Sequence, residues 1–230
     1  MNEKKRVPFI VGMLSAAIAG TIGYTLPASG SRFRYDVEYP SIEYSSKPAD
    51  NPVRRFADRL KNGDAKLKFR PGRGYLDSLL AQLDIDPSSQ VLVYSKTSLQ
   101  KSWISAATPR AIYFNSNTYV AWVQGSNSIE IATTDAKLGL VFYTFHNWRD
   151  PGPEFERQNG RCLVCHDSYG MMGGGTPQLL AGSKIADLDG YVLAPVTENT
   201  VDRTPLKKRW GGWYVTGRNG VQPHLGNILV

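Results

Sequence analysis

The sequence predicts an α+β protein with an N-terminal membrane-spanning or signal helix, two short helices, an antiparallel β meander and a Cys-x-x-Cys-His segment. Two periodicities predict this class. Apolar residues recur at helical spacing between residues 51 and 83, and they alternate with a period of two between residues 111 and 145. The alternating stretch is long enough for a meander that buries one face against a helix.

The composition of the 230-residue chain is that of an ordinary globular protein, because 41% of its residues are hydrophobic and 20% are charged. The 27 basic and 20 acidic residues give a net charge of +7 that is spread over the chain. We therefore expect no nucleic-acid binding, which requires basic residues clustered on one face. The two cysteines allow at most one disulfide, which excludes a disulfide-stabilised scaffold.

Residues 1–30 are predicted to form a signal peptide or a signal anchor. Three basic residues at positions 4–6 precede an uncharged apolar run over residues 7–26. The small residues at positions 28–30 suit cleavage, whereas the length of the apolar run suits a retained anchor. Both alternatives stay open, and in either case the rest of the chain should face the far side of the membrane.

Two helices are predicted before the meander. Asn51 and Pro52 are typical of an N-cap followed by the first helical residue, and Gly63 can end that helix. A second helix is predicted over residues 74–83, where four leucines share one side.

The strands are predicted from alternating apolar residues and from turn residues. They cover residues 90–94, 111–114, 118–123, 128–133 and 140–145, and a hairpin is predicted around residues 187–190. Residues 153–160 are predicted to start the helix that carries the two cysteines. We therefore expect one domain over residues 51–230, behind an extended arm over residues 31–50.

The motif with the strongest chemical meaning is Cys162-Leu163-Val164-Cys165-His166, which has the spacing of a c-type haem attachment site. Cysteines three apart on a helical turn lie on one face and can reach two carbons on one edge of a porphyrin. His166 then lies under the ring, where its imidazole can bind iron. The motif predicts one covalently bound haem c.

Three other uses of the two cysteines stay open. A structural zinc site would need two more ligands, and the chain has only three histidines. A thioredoxin-like redox pair would normally follow a βαβ pattern, which the sequence does not show. A short-range disulfide is the third alternative.

The segment from residue 90 to the end resembles an uncharacterised family of bacterial exported monohaem c-type cytochromes. The resemblance rests on residues 109–115, 138–143, 162–166, 209–217 and 224–227. It implies the haem cofactor but no particular reaction. The family tends to carry a histidine just after Val-Thr-Gly, where this chain has Arg218-Asn219, so no role of that histidine is transferred.

The second axial ligand of the iron decides between an electron carrier and a reactive haem. His224 is the favoured candidate, because it is far enough along the chain to reach the opposite face. His146, Met171 or Met172, and an open or water-bound position are the alternatives. Met171 and Met172 follow His166 so closely that the connecting chain, about 17 Å when fully extended, barely reaches round the edge of the porphyrin to the iron. The alternative role of these methionines is to pack against the porphyrin.

Basic and aromatic residues near the motif are candidates for holding the porphyrin. The possible partners of the haem propionates are Arg149, Arg161, Lys207, Lys208 and Arg209, and the possible packing residues are Trp148, Trp210, Trp213 and Tyr214. Arg209 and Trp210 are the pair selected as cofactor-binding residues. The glycines at positions 173–175 are expected to let the chain cross close to the haem.

A one-electron carrier on the periplasmic side of the bacterial inner membrane is the function that these observations favour. Residues 31–230 carry 24 basic and 19 acidic residues, which gives a net charge of +5. The two negative propionates of a haem would reduce this charge to about +3, and a moderate positive charge suits transient docking to acidic redox partner proteins. One alternative is a haem enzyme or sensor with an open iron site, with Tyr143, His146 and Arg149 around a peroxide, nitrogen oxide or sulfur compound. Another alternative is a subunit of a larger respiratory complex that uses the meander as an interface.

Overall fold

The structure is a computed structural model that describes residue 38, residues 42–167 and residues 176–230, with the backbone alone for residues 194–198. The predicted leader and half of the predicted extended arm lie outside these residues, as do Met171, Met172 and the glycines at 173–175. No helix within the described ranges is long and apolar enough to cross a membrane. The described elements belong to one compact unit, residues 34–230.

The described residues form three α-helices: α1 (Pro52–Lys61), α2 (Leu76–Gln82) and α3 (Gly160–His166). The first two confirm the helices predicted before the meander. Asn51 caps α1, because its side chain accepts a hydrogen bond of 2.9 Å from the N–H of Arg54. The third helix begins only at Gly160, so the prediction that residues 153–160 start it is wrong.

In the part of the chain that the structure describes, nine strands form two sheets. They are β1 (Val91–Val93), β2 (Arg110–Phe114), β3 (Thr118–Trp122), β4 (Ser128–Asp135), β5 (Gly139–His146), β6 (Phe155–Gln158), β7 (Ala181–Ala186), β8 (Val192–Thr200) and β9 (Trp213–Tyr214). One sheet has seven antiparallel strands in the order β6-β5-β4-β3-β2-β1-β9, and β7 pairs with β8 in the other. The α+β class is confirmed.

The strand β6 replaces the predicted helix start because its residues complete the edge of the sheet. Phe155 pairs with Phe145 in the register of β5 and β6, and their ring centroids are 4.7 Å apart. The same Phe155 ring meets Phe56 of α1 edge-on at 5.7 Å. Burial of this aromatic ring between the sheet and α1 favours the extended conformation over a helix.

The seven-stranded sheet is covered on both faces near β5. Tyr143 and Phe145 of β5 point to the side of the sheet that α1 and α2 cover, and we name this side the α1 face. There the side chain of Asn51, the N-cap of α1, donates a hydrogen bond of 3.2 Å to Tyr143 Oη. Phe142 points to the opposite side, where it contacts His166 of α3, and we name this side the α3 face. Because both faces are buried, β5 has an almost continuous apolar sequence.

The second sheet adjoins the far end of the large one. The predicted turn at residues 187–190 is confirmed, and Gly190 adopts a φ of +86° where a Cβ would lie 2.5 Å from the carbonyl oxygen of Tyr94. The N–H of Lys184 in β7 donates to Gly211 O at 2.7 Å, and the indole of Trp213 in β9 donates to Gly182 O at 2.8 Å. These bonds hold the hairpin beside β9, at the edge opposite β6.

Candidate functional site

Leu163, which lies between the two cysteines, anchors helix α3 on the α3 face of the sheet. Leu163 is 1% exposed and belongs to the hydrophobic core, whereas Val164 is 57% exposed. Cys162 is partly buried against the core, and Cys165 is exposed. Both cysteines carry free thiols and lie three residues apart on one helical turn, so they share a side of α3.

His166 at the end of α3 is held by two contacts. Its ring centroid lies 4.5 Å from that of Phe142, and its Nδ1 donates a hydrogen bond of 2.6 Å to the carbonyl oxygen of Gln178. The N–H of Gln178 donates in return to the carbonyl oxygen of His166 at 3.0 Å. Because Nδ1 carries the proton, Nε2 of the neutral ring has a free lone pair, and it makes no hydrogen bond within the described residues.

A close crossing of the chain brings Gln178 to this position. Gly139 at the start of β5 has a φ of +76°, and a Cβ there would lie 2.2 Å from Cγ2 of Thr176. Only glycine therefore lets the segment after α3 pass over β5 at this distance. The glycines at 173–175, which are predicted to let the chain cross close to the haem, lie outside the described residues, so that prediction stays a prediction.

The surroundings keep both His166 and Cys162 uncharged at neutral pH. Burial lowers the pKa of His166, and the positive charge of Arg110 lowers it further. The hydrogen bond to the Gln178 carbonyl and the negative charge of Glu130 raise this pKa, but the net shift is downward. Burial raises the pKa of the Cys162 thiol to about 12, with Glu130 acting in the same direction. The site thus presents a neutral imidazole and a neutral buried thiol.

A partly buried ion pair on the α3 face supplies the charges that act on these two pKa values in addition to burial. Arg110 Nη1 of β2 and Glu130 Oε2 of β4 are 3.5 Å apart, and their side chains are 14% and 20% exposed. Glu130 Oε1 also accepts a hydrogen bond of 2.9 Å from the N–H of Gln100. Burial lowers the pKa of Arg110, and its Nε has no hydrogen-bond partner in the part of the chain that the structure describes.

A cavity of about 530 Å³ lies beside α3. It is lined by Leu99, Gln100, Trp103, Ser126, Asn127, Ser128, Thr144, Phe145, His146, Pro151, Glu154, Glu156 and Arg161. Arg161 contributes from α3, and His146 contributes from the end of β5, where its Nδ1 donates to the carbonyl oxygen of Gly152 at 2.8 Å. This volume is in the range of sites that bind small molecules and cofactors, roughly 300–1,000 Å³.

The structure places His224, Arg209 and Trp210 together at the other end of the molecule. The N–H of Leu225 donates to Arg209 O at 2.8 Å, and Trp210 meets Trp213 of β9 edge-on at 5.8 Å. Four strands of the large sheet stand between β9 and β5, on which His166 packs. The predicted site residues thus fall into two groups, one on α3 and one beside β9.

The guanidinium of Arg209 already serves the local backbone. It donates to the carbonyl oxygens of Thr204 at 2.6 Å, Asp202 at 2.8 Å and Val201 at 3.3 Å. Lys207 and Lys208 lie in the 3-10 turn that precedes it. This arrangement uses Arg209 to close the loop before β9.

Arg149, Trp148 and Tyr143, which were also singled out from the sequence, contact parts of the fold other than α3. Arg149 stacks over the ring of Phe69 at 4.5 Å, and Trp148 packs against the same ring while remaining 52% exposed. Tyr143 lies on the α1 face, on the opposite side of the sheet from His166. Of the five basic residues considered as propionate partners, Arg161 is the one that α3 itself carries.

Sequence reasoning missed two parts of this site. The carbonyl of Gln178 is a backbone atom, and no residue type marks it. Glu130 lies between Ile129 and Ile131, which is the pattern of a strand with one solvated face, so its burial carries no local signal. Arg110 belongs to the block that supports the family resemblance, but its role depends on Glu130.

Comparison with protein-family models, curated proteins and solved structures finds no match to the chain. Within the described ranges, no group of three or more histidine, cysteine and acidic residues is placed to hold a metal ion.

Unequal reactivity of the two thiols is expected in the haem-free protein. At pH 8, Cys165 should be alkylated readily, while Cys162 should react more than about tenfold more slowly because its thiolate forms only at much higher pH. Timed alkylation followed by peptide mass spectrometry measures both rates. Equal rates in the folded protein would contradict the described burial of Cys162, and equal rates in denaturant are the control.

Proposed function

We propose that the chain is an exported monohaem c-type cytochrome that carries single electrons through one covalently attached haem. One observation carries the proposal. The imidazole that follows the two cysteines donates its Nδ1 proton to the carbonyl oxygen of Gln178 at 2.6 Å, so that Nε2 is the nitrogen left to bind a metal. Metal-binding histidines usually make this second hydrogen bond, which fixes the tautomer and the ring orientation.

Cys162 and Cys165 are the residues that would hold the porphyrin. Each thiol would add across one vinyl group: a carbon–sulfur bond would form, the thiol hydrogen would move to the neighbouring vinyl carbon, and no oxidant or reductant would be consumed. The position of Cys162 against the core, with Leu163 buried beside it, would hold the attached edge of the porphyrin to the protein.

His166 would bind the iron through Nε2. Phe142 supports one face of the imidazole, and the reciprocal hydrogen bonds with Gln178 prevent the ring from turning. An iron held in this way would supply one-electron chemistry between redox partner proteins. Arg161, which α3 carries and which lines the cavity, would pair with a propionate, because a guanidinium matches the geometry of a carboxylate.

The sequence supports the location and the partners that this proposal assigns to the protein. The predicted leader over residues 1–30 supports export to the periplasmic side of the inner membrane, with anchoring if the leader is retained. The resemblance to exported monohaem cytochromes supports the same assignment. The moderate positive charge favours weak docking to acidic redox partners.

A second candidate function is a haem enzyme or sensor that binds a small molecule at the iron. The cavity of about 530 Å³ beside α3 favours it, because such a space could admit a ligand. The two functions differ in whether a protein side chain occupies the second axial position.

Co-expression of the full chain with a haem-maturation system tests the proposed function. We expect a haem-stained band on a denaturing gel and a reversible one-electron redox titration of the purified protein. A matured chain without covalent haem would contradict the cytochrome assignment. Covalent haem that cannot be reversibly reduced would contradict the role in electron transfer.

A further inference from the structure

The three histidines of the chain differ in how the ring nitrogen Nδ1 is hydrogen-bonded. In His166 and His146 this nitrogen donates to a backbone carbonyl, that of Gln178 in one case and Gly152 in the other. In His224 it instead accepts a hydrogen bond of 3.0 Å from the N–H of Gly226. A neutral imidazole with an accepting Nδ1 carries its proton on Nε2. His146 and His166 therefore present a free lone pair on Nε2, and His224 presents a proton.

His146 also lies on the same side of the sheet as His166. It is four residues after Phe142 on β5, so both side chains point to the α3 face. The rise along a strand places the Cα atoms of Phe142 and His146 about 13 Å apart. The ring of His166 rests on Phe142, with the two ring centroids 4.5 Å apart, so both imidazoles belong to the α3 face of β5.

His146 and the helix that carries the cysteines line the same cavity. His146 lines it from β5, and Arg161, one residue before Cys162, lines it from α3. The other polar groups that line this space include Thr144, Glu154 and Glu156. The imidazole of His146 thus faces α3 across free space.

We propose that His146 is the second axial ligand, so that the iron is bound by two histidine nitrogens and has no open position. This inference rests on the proposed function, because it requires the haem that Cys162 and Cys165 would attach. It assigns the cavity beside α3 to the second face of the porphyrin and makes the protein a closed electron carrier. It also replaces His224, which sequence separation alone had favoured.

Electronic absorption and electron paramagnetic resonance spectra of the haem-loaded full chain test the assignment. The wild-type protein and H224A should both be low-spin in the ferric and ferrous states and should not bind carbon monoxide. H146A should become high-spin and bind carbon monoxide when reduced, and added imidazole should restore the low-spin spectrum. An H146A spectrum identical to that of the wild type, or a high-spin wild-type protein, would overturn the assignment.

A second measurement decides the case if H146A does not accumulate. The near-infrared magnetic circular dichroism of the ferric wild-type protein distinguishes two histidine nitrogens from other axial pairs. Because the chain has three histidines, a two-histidine spectrum that persists in H224A leaves His146 as the second ligand. A histidine–methionine or histidine–water spectrum would overturn it. Covalent haem on a denaturing gel is scored separately, and its absence would overturn the proposed function as well.

Discussion

Replacement of both Cys162 and Cys165 by serine is expected to abolish covalent haem attachment. A serine hydroxyl does not form the thioether that each cysteine would make, so haem should dissociate from the double variant in denaturant. The chain should then migrate without haem stain, whereas the wild-type chain should retain one haem. A denaturing gel stained for haem, with immunoblotting for chain abundance, measures the effect.

The two serine substitutions need a control for changes in α3 itself. Val164 lies between the cysteines and is 57% exposed, so Val164→Ser adds a hydroxyl to the same helix without removing a thiol or emptying the core. This variant should stain like the wild type. Haem that stays attached to the double serine variant would show that attachment does not depend on these thiols.

Phe145→Ala is expected to cause a large loss of folding stability. The ring is fully buried on the α1 face, 4.7 Å from Phe155 and 6.2 Å from Tyr75, so truncation leaves a cavity between the sheet and α2. Substitutions of this kind cost about 3–5 kcal/mol. Urea unfolding followed by tryptophan fluorescence gives the free energy of unfolding of each variant.

Phe114→Ala is the matched control for this prediction. Phe114 belongs to the same sheet but is 37% exposed and stacks only on Tyr119 in β3, at 5.9 Å. Its truncation should cost roughly 1 kcal/mol or less, because little apolar surface is withdrawn from the core. Equal losses in the two variants would contradict the placement of the core on the α1 face.

Much of the fold could be predicted because its signals are local. Asn51 and Pro52 mark the start of α1, and the alternation within β2, β3 and β4 marks these strands. The strand β6 escaped prediction because Glu156, Arg157 and Gln158 are polar, and a polar edge strand resembles a loop or a helix start. Its extended form depends on pairing with β5, which is not encoded within those four residues.

The candidate site shows the same division between local and distant information. The spacing of Cys162, Cys165 and His166 is contained in five residues and could be found directly. The hydrogen bond to Gln178 depends on the path of the chain after α3, and that path depends on Gly139 in another strand. Position in the sequence favours His224 over His146 as the second iron ligand, whereas the hydrogen bonds of the ring nitrogens favour His146. Those bonds are made to backbone groups, which no residue type in the sequence marks.

The intact mass of the exported wild-type chain, measured after denaturation and treatment with an alkylating reagent, tests the central claim most directly. The account predicts a mass increased by one haem and no alkylated cysteine, because both sulfurs are engaged in thioethers. A colourless chain in which Cys162 and Cys165 are both alkylated would contradict the cytochrome assignment and the proposed iron ligands.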